Sequence, residues 1–128
     1  MTERIATCRC GALTATCAGE PARISICHCL ACKRRTGSAF SWNATYAETQ
    51  VRTAGPAASY ERPGDSGHIN RYHFCPTCGA TAFYTVGLRP GMVSIPVGAF
   101  ADPDFPPPTV EVYAERRCLW IAQIATEE

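Results

Sequence analysis

The chain contains two glycine-ended cysteine pairs, Cys75-Pro76-Thr77-Cys78-Gly79 in its middle and Cys8-Arg9-Cys10-Gly11 near its start. A proline stiffens the first turn, and a glycine after each pair lets the backbone curl so that amide hydrogens approach the sulfurs. A disulfide between cysteines one residue apart is strained, whereas both thiolates of an extended C-x-C can face one ion. Cys8, Cys10, Cys75 and Cys78 therefore predict a tetrahedral, all-cysteine structural zinc site with no open position.

A redox role is the alternative for the C-x-x-C pair, because thioredoxin-like proteins carry the same spacing. There the motif opens a helix, but the residues after Cys78 have no evident helical pattern. Spacing therefore favours zinc, which would clip the start of the chain to its middle. Structural zinc contributes on the order of 10 kcal/mol to folding in small domains.

A third cluster, Cys27-His28-Cys29-Leu30-Ala31-Cys32, offers three thiolates within six residues. Three protein ligands and one exchangeable ligand are typical of catalytic zinc, which lowers the pKa of a bound water or thiol. Cys27, Cys29 and Cys32 are thus the predicted reactive centre. The alternative is a second structural zinc closed by His28, Cys17, Cys118 or a remote histidine. Strand alternation would turn His28 away from the flanking sulfurs, which favours a structural role for it.

Composition limits the remaining possibilities. The chain has 128 residues, 46% of them hydrophobic, nine cysteines and a formal net charge of +1. This length predicts a single domain over residues 1–128, and the near-neutral charge argues against nucleic-acid binding. The sequence shows neither a secretory leader nor a membrane span of about 20 apolar residues, so we expect a cytoplasmic protein with reduced thiols and no membrane contact. Cys17 and Cys118 are then expected to be free, buried, apolar residues.

Short segments rich in β-branched and aromatic residues recur between glycine and proline turns, one of them at residues 62–67. The pattern predicts a mainly β protein with one short helix at Leu30–Arg35. The expected strands are Ala12–Cys17, Arg23–Cys27, Ala39–Tyr46, Ser59–Tyr60, Ile69–Phe74, Ala82–Val86, Met92–Val97 and Val110–Ala114. The larger aromatic side chains are expected mostly in the core.

Taken together, the three clusters resemble the glutathione-dependent formaldehyde-activating (GFA) family, which includes the GFA-like domain of centromere protein V. The resemblance also covers residues 34–40, Val97-Gly98-Ala99-Phe100 with Asp102, and Trp120. It implies an Mss4-like fold of coiled antiparallel β-sheets. It further implies two zinc ions, one structural on Cys8, Cys10, Cys75 and Cys78, and one catalytic on Cys27, Cys29 and Cys32.

The resemblance also implies a carbon-sulfur lyase like S-(hydroxymethyl)glutathione synthase, which joins a small aldehyde to a glutathione-like thiol. Lys33, Arg34 and Arg35 follow Cys32 and are the candidate contacts for substrate carboxylates, although a solvated basic turn explains them equally well. Small-molecule thiol and aldehyde are the implied partners. The alternative function is a non-catalytic, zinc-stabilised module that binds glutathione or a protein partner.

Overall fold

Two β-sheets and one short helix make up the computed structural model, which describes residues 2–64 and 66–128. Met1, the first residue of the expected domain, and Asp65, within the predicted turn at 62–67, lie outside the described residues. The helix α1 spans Leu30–Thr36. The strands are β1 Glu3–Thr7, β2 Thr14–Ala18, β3 Arg23–Cys27, β4 Ser41–Ala47, β5 Val51–Ala54, β6 Ala58–Pro63, β7 Ile69–Phe74, β8 Thr81–Val86, β9 Met92–Pro96, β10 Val110–Val112 and β11 Thr126–Glu127.

The smaller sheet has the strand order β1-β2-β5 and the larger one the order β11-β10-β3-β4-β9-β8-β7-β6. Most neighbouring strands are antiparallel, but β10 runs parallel to both β3 and β11. The predicted mainly β fold with one short helix is confirmed. The expected antiparallel character of the sheets is confirmed for most strand pairs, and β10 is the exception, because a long connection from β9 brings this strand alongside β3.

The main core lies between the two sheets. It combines small residues of the three-stranded sheet with larger side chains of the other one, among them Tyr46 and Ile95, which are fully buried. Alternation along β3 and β4 sends Ile24, Ala44 and Tyr46 into this core and their neighbours to the opposite face. The larger sheet therefore has one apolar face that holds the fold together and a second face that is free to line a site.

A smaller core surrounds two buried cysteines. Cys8 and Cys75 pack with Leu13 and Ala82, and Phe83 joins this group to the main core. These residues come from the turn between β1 and β2, from the β7–β8 connection and from the start of β8. The first cysteine cluster therefore lies where the two sheets meet.

No helix within the described ranges is both long enough and apolar enough to cross a membrane. Trp120, expected in the core, is instead 80% exposed. It lies in the segment between β10 and β11, beside Leu119, which is also exposed. The prediction rested on residue type alone, because aromatic side chains in a small β protein mostly pack in the core. The segment that contains Trp120 instead runs over the surface.

Candidate metal centres and active site

The four sulfurs of Cys8, Cys10, Cys75 and Cys78 lie within 4.8 Å of one another. The Sγ atoms of Cys8 and Cys10 are 3.7 Å apart, and those of Cys10 and Cys75 are 3.6 Å apart. A tetrahedron with zinc–sulfur bonds of about 2.3 Å has edges of about 3.8 Å. The donor set and its spacing therefore fit a tetrahedral zinc ion.

Backbone amides approach these sulfurs as the glycines lead one to expect. The N–H of Leu13 donates to Cys8 Sγ at 3.2 Å, and the N–H of Thr77 donates to Cys75 Sγ at 3.4 Å. Gly11 and Gly79 adopt φ values of +86° and +78°, which other residues rarely take. N–H groups of Ala80 and Cys10 directed at its sulfur lower the pKa of Cys78 to about 6. These N–H contacts favour the thiolate of Cys78, the form that binds metal.

Cys27, Cys29 and Cys32 form the second cluster, with sulfurs also within 4.8 Å of one another. Cys27 ends β3, Cys29 caps α1 and Cys32 lies in its first turn, where the Cys32 N–H donates to Cys29 Sγ at 3.2 Å. Thiol hydrogens of Cys27 and Cys32, together with these backbone N–H groups, lower the pKa of Cys29 to about 2. These hydrogen bonds thus favour the thiolate form of Cys29.

In residues 2–64 and 66–128, no further Cys, His, Asp or Glu joins this trio to complete a four-ligand group. His28, Cys17 and Cys118, the three residues named above as a possible fourth ligand, all lie elsewhere. Cys17 is fully buried in the main core, where burial raises its pKa to about 11, and Cys118 accepts a hydrogen bond from Lys33 Nζ at 3.5 Å. Cys17 is thus the buried apolar residue expected, whereas Cys118 is only half-buried.

The His28 side chain points away from the cluster, although its two sequence neighbours, Cys27 and Cys29, belong to it. Its Nε2 is 2.8 Å from Glu111 Oε1, and both side chains are fully buried. The other Glu111 oxygen accepts N–H groups of Ile124 and Ala125 at 3.0 and 3.2 Å. His28 therefore joins the turn after β3 to β10 and to the segment before β11, a structural role that matches the alternation argument.

The three-cysteine cluster opens into a cavity of about 460 Å³, a size usual for small-molecule sites. Its floor is the second face of the larger sheet. Alternate residues of β3 and β4 form much of this floor, and they are Arg23, Ser25 and Cys27, paired with Thr45, Asn43 and Ser41. The remaining lining residues named below come from α1, from β6 to β9, from the β8–β9 turn and from the segments after β10 and β11.

Hydrogen bonds order this polar floor. Tyr84 donates to Asn43 Oδ1, and Asn43 Nδ2 donates to Ser41 Oγ at 3.0 Å. Thr45 and Ser94 pair through their hydroxyls at 3.2 Å. Burial raises the pKa of Tyr84, so that its hydroxyl keeps its proton. The floor thus presents fixed neutral dipoles next to a charged cysteine cluster.

The three basic residues after Cys32 have different surroundings. Arg35 lines the cavity, with its guanidinium 5.1 and 5.0 Å from the ring centroids of Tyr72 and Tyr84. Lys33 donates to the Arg116 carbonyl at 2.6 Å, and Arg34 is exposed. Neither Lys33 nor Arg34 lines the cavity. Cation–π contact holds Arg35 at the rim of the cysteine cluster.

Sequence reasoning missed Asn43, Tyr84, Glu111 and the distant arginines Arg23 and Arg89, both of which line the cavity. One signal was available, because Ser41, Asn43 and Thr45 alternate with apolar residues along one strand. The segment Val97–Phe100, singled out by resemblance, instead forms a 3₁₀ turn that packs beside β1 and the main core.

Comparison with known proteins agrees with these features. The family model described as glutathione-dependent formaldehyde-activating enzyme (GFA) matches residues 3–116, and the chain belongs to this family. A solved structure of a Rhodobacter sphaeroides protein is similar in fold, with a TM-score of 0.59 and 22% identity, over 80% of this chain and 91% of that one. No curated protein matches the chain.

Proposed function

We propose that the chain is a carbon-sulfur lyase of the S-(hydroxymethyl)glutathione synthase type, which adds or releases a small aldehyde at a glutathione-like thiol. The observation that carries the proposal is the three-cysteine cluster at the end of a cavity of about 460 Å³. Family membership supports the same chemistry. All nine cysteines are free, which suits reducing conditions and the cytoplasmic location that we also propose.

Both cysteine clusters would hold zinc in this proposal. Cys8, Cys10, Cys75 and Cys78 supply four sulfur ligands for a structural ion, and Cys27, Cys29 and Cys32 supply three for a catalytic one. Zinc bound by three cysteines supplies Lewis acidity, which lowers the pKa of a thiol that shares the site.

The residues of the chain bind and orient the reactants. Arg35 is the only one of the three candidate basic residues that lines the cavity, so we assign to it the charge that offsets three thiolates and attracts an anionic substrate. Asn43 and Ser41 offer dipoles to the carbonyl group. The thiol sulfur adds to the carbonyl carbon and the thiol proton ends on the carbonyl oxygen, so the reaction needs no redox partner.

The test is the rate at which zinc-loaded protein forms or breaks down S-(hydroxymethyl)glutathione, relative to the spontaneous reaction. We expect acceleration by the wild type, loss of at least about 100-fold in Cys29→Ser, and little change in Cys118→Ser, which alters a half-buried thiol outside both clusters. Equal rates with and without wild-type protein, over several thiols and aldehydes, would exclude the enzyme. Tight glutathione binding without acceleration would instead support a non-catalytic binding module.

A further inference from the structure

The cavity extends well beyond the cysteine cluster, along one face of β3. Cys27, Ser25 and Arg23 occupy alternate positions and all line it. Arg23 and Cys27 are four positions apart on this strand, a distance of about 13 Å. Arg23 therefore lies far from the cysteine cluster, where the substrate sulfur would react with a small aldehyde. Arg89, in the turn between β8 and β9, lines the same end of the cavity.

A carboxylate of the chain itself already contacts these two arginines. Glu128 accepts two hydrogen bonds from Arg23, at 2.6 and 2.8 Å, and its Oε1 lies 3.9 Å from Arg89 Nη2. Such a two-point contact is the geometry in which guanidinium groups recognise carboxylates. The Glu128 side chain is 46% exposed and that of Arg23 only 20%, so the carboxylate lies on the solvent side of a fixed cation.

Charge favours an additional anion in this cavity. Four arginines line it (Arg23, Arg35, Arg62 and Arg89), against two acidic residues, Glu115 and Glu128, and against the three-cysteine cluster, which would carry a formal charge of −1 with zinc bound. Exposed ion pairs contribute little to stability, so a ligand carboxylate can displace Glu128 at little cost. The backbone of Glu128 stays in place through its N–H bond to the Glu111 carbonyl at 2.9 Å.

We propose that Arg23 and Arg89 bind a carboxylate at the far end of the thiol substrate, and that the Glu128 side chain competes for this subsite as an internal carboxylate. The inference rests on the proposed function for the position of the thiol at Cys27, Cys29 and Cys32. It restricts the substrate class to extended thiols with a carboxylate remote from the sulfur. Short thiols such as 2-mercaptoethanol reach one end of the cavity only.

Calorimetric titration with two probes tests the proposal. Glutathione carries a thiol and carboxylates, whereas S-methylglutathione keeps the carboxylates and lacks the thiol. We expect Glu128→Gln to tighten the binding of both about three- to fivefold, the range for removing a competing exposed ion pair, and Arg23→Gln to weaken both about tenfold. Glutathione diethyl ester should bind all variants alike.

The matched control is Glu20→Gln. Glu20 forms a similar two-point pair with Arg4, at 2.6 and 3.3 Å, that does not line the cavity. Its loss should leave both affinities unchanged. Arg89→Gln, with an unchanged circular dichroism spectrum, provides a second variant if Arg23→Gln fails to fold.

The proposal is overturned if Glu128→Gln leaves glutathione affinity unchanged, if the diester responds like the free acid, or if neither probe binds any variant. Failure of the proposed function looks different. In that case S-methylglutathione and glutathione bind alike and respond to Glu128→Gln, but the protein does not accelerate adduct formation.

Discussion

Tyr84 and Asn43 form a buried hydrogen bond next to the cysteine cluster. Tyr84→Phe removes the donor and leaves the Asn43 oxygen unpaired in a site shielded from water. An unsatisfied buried acceptor costs about 1–3 kcal/mol, so we expect the free energy of unfolding to fall by that amount in urea denaturation. Tyr60→Phe, at a position 60% exposed, is the control and should change stability by less than about 0.5 kcal/mol. Equal effects of the two variants would contradict the assignment.

Glu111 holds three segments together through one fully buried carboxylate. Removal of one partner from a buried pair costs about 3–5 kcal/mol, so Glu111→Ala should be strongly destabilising and Glu111→Gln less so. Thermal denaturation measures the difference. Because His28 lies between Cys27 and Cys29, we also expect zinc content to fall in Glu111→Ala. An unchanged melting temperature would show that the His28 contact carries no stability.

Local spacing explains why the cysteine residues of both clusters could be identified from the sequence, whereas their surroundings could not. Cys27, Cys29 and Cys32 are close in the chain, so turn and helix geometry alone brings their sulfurs together. The contact of Lys33 with the Arg116 carbonyl and the pairing of Glu128 with Arg23 join residues more than 80 positions apart. Tertiary structure alone decides such contacts.

At the scale of elements, Gly55 directly follows β5 and packs against the turn that precedes β2. Its φ is +98°, and a Cβ there would lie 1.9 Å from the Ala12 carbonyl oxygen. Gly55→Ala must therefore displace backbone, and we expect it to lower the free energy of unfolding by more than about 2 kcal/mol. Denaturant titration provides the measurement.

Gly37, the residue after α1, is the control for this substitution. Its φ is +63°, but a Cβ there would meet nothing within 4 Å. Gly37→Ala should lower the free energy of unfolding by only about 1 kcal/mol, the cost of holding alanine in the left-handed backbone conformation. A loss at Gly37 as large as the loss at Gly55 would mean that the Ala12 contact plays no part.

Three strands escaped the sequence pattern, each for a physical reason. β1 mixes charged and small residues at an edge of the smaller sheet, β5 has four residues, and β11 has two. Such strands are stabilised by their neighbours more than by their own propensity. The strands with alternating or apolar residues, such as β3, β4, β7 and β9, lay within one or two positions of their predicted bounds.

At the scale of the whole molecule, the first cysteine cluster joins the two sheets, because Cys8 and Cys10 follow β1 while Cys75 and Cys78 separate β7 from β8. We expect Cys78→Ala to unfold the protein or destabilise it severely, since structural zinc contributes on the order of 10 kcal/mol. Circular dichroism measures the loss of folded structure, and metal analysis measures the loss of zinc.

Cys29→Ala is the comparison, because it alters the cluster at the cavity. We expect a folded protein that keeps about half of its zinc, with a loss of about 1 kcal/mol for the missing helix cap. Equal loss of fold in the two variants would show that both clusters are structural.

The single domain over residues 1–128 stays a prediction, which limited proteolysis of the zinc-loaded protein can test.

Alternation along β3 and β4 assigns consecutive residues to two different roles, packing of the core and lining of the cavity. Positions 24, 44 and 46 hold the sheets together, while positions 23, 25, 41, 43 and 45 line the cavity. A mutant library confined to the second set can therefore search for new substrates while the scaffold keeps its packing. Such a division lets specificity diverge among descendants of one ancestor that all fold in the same way.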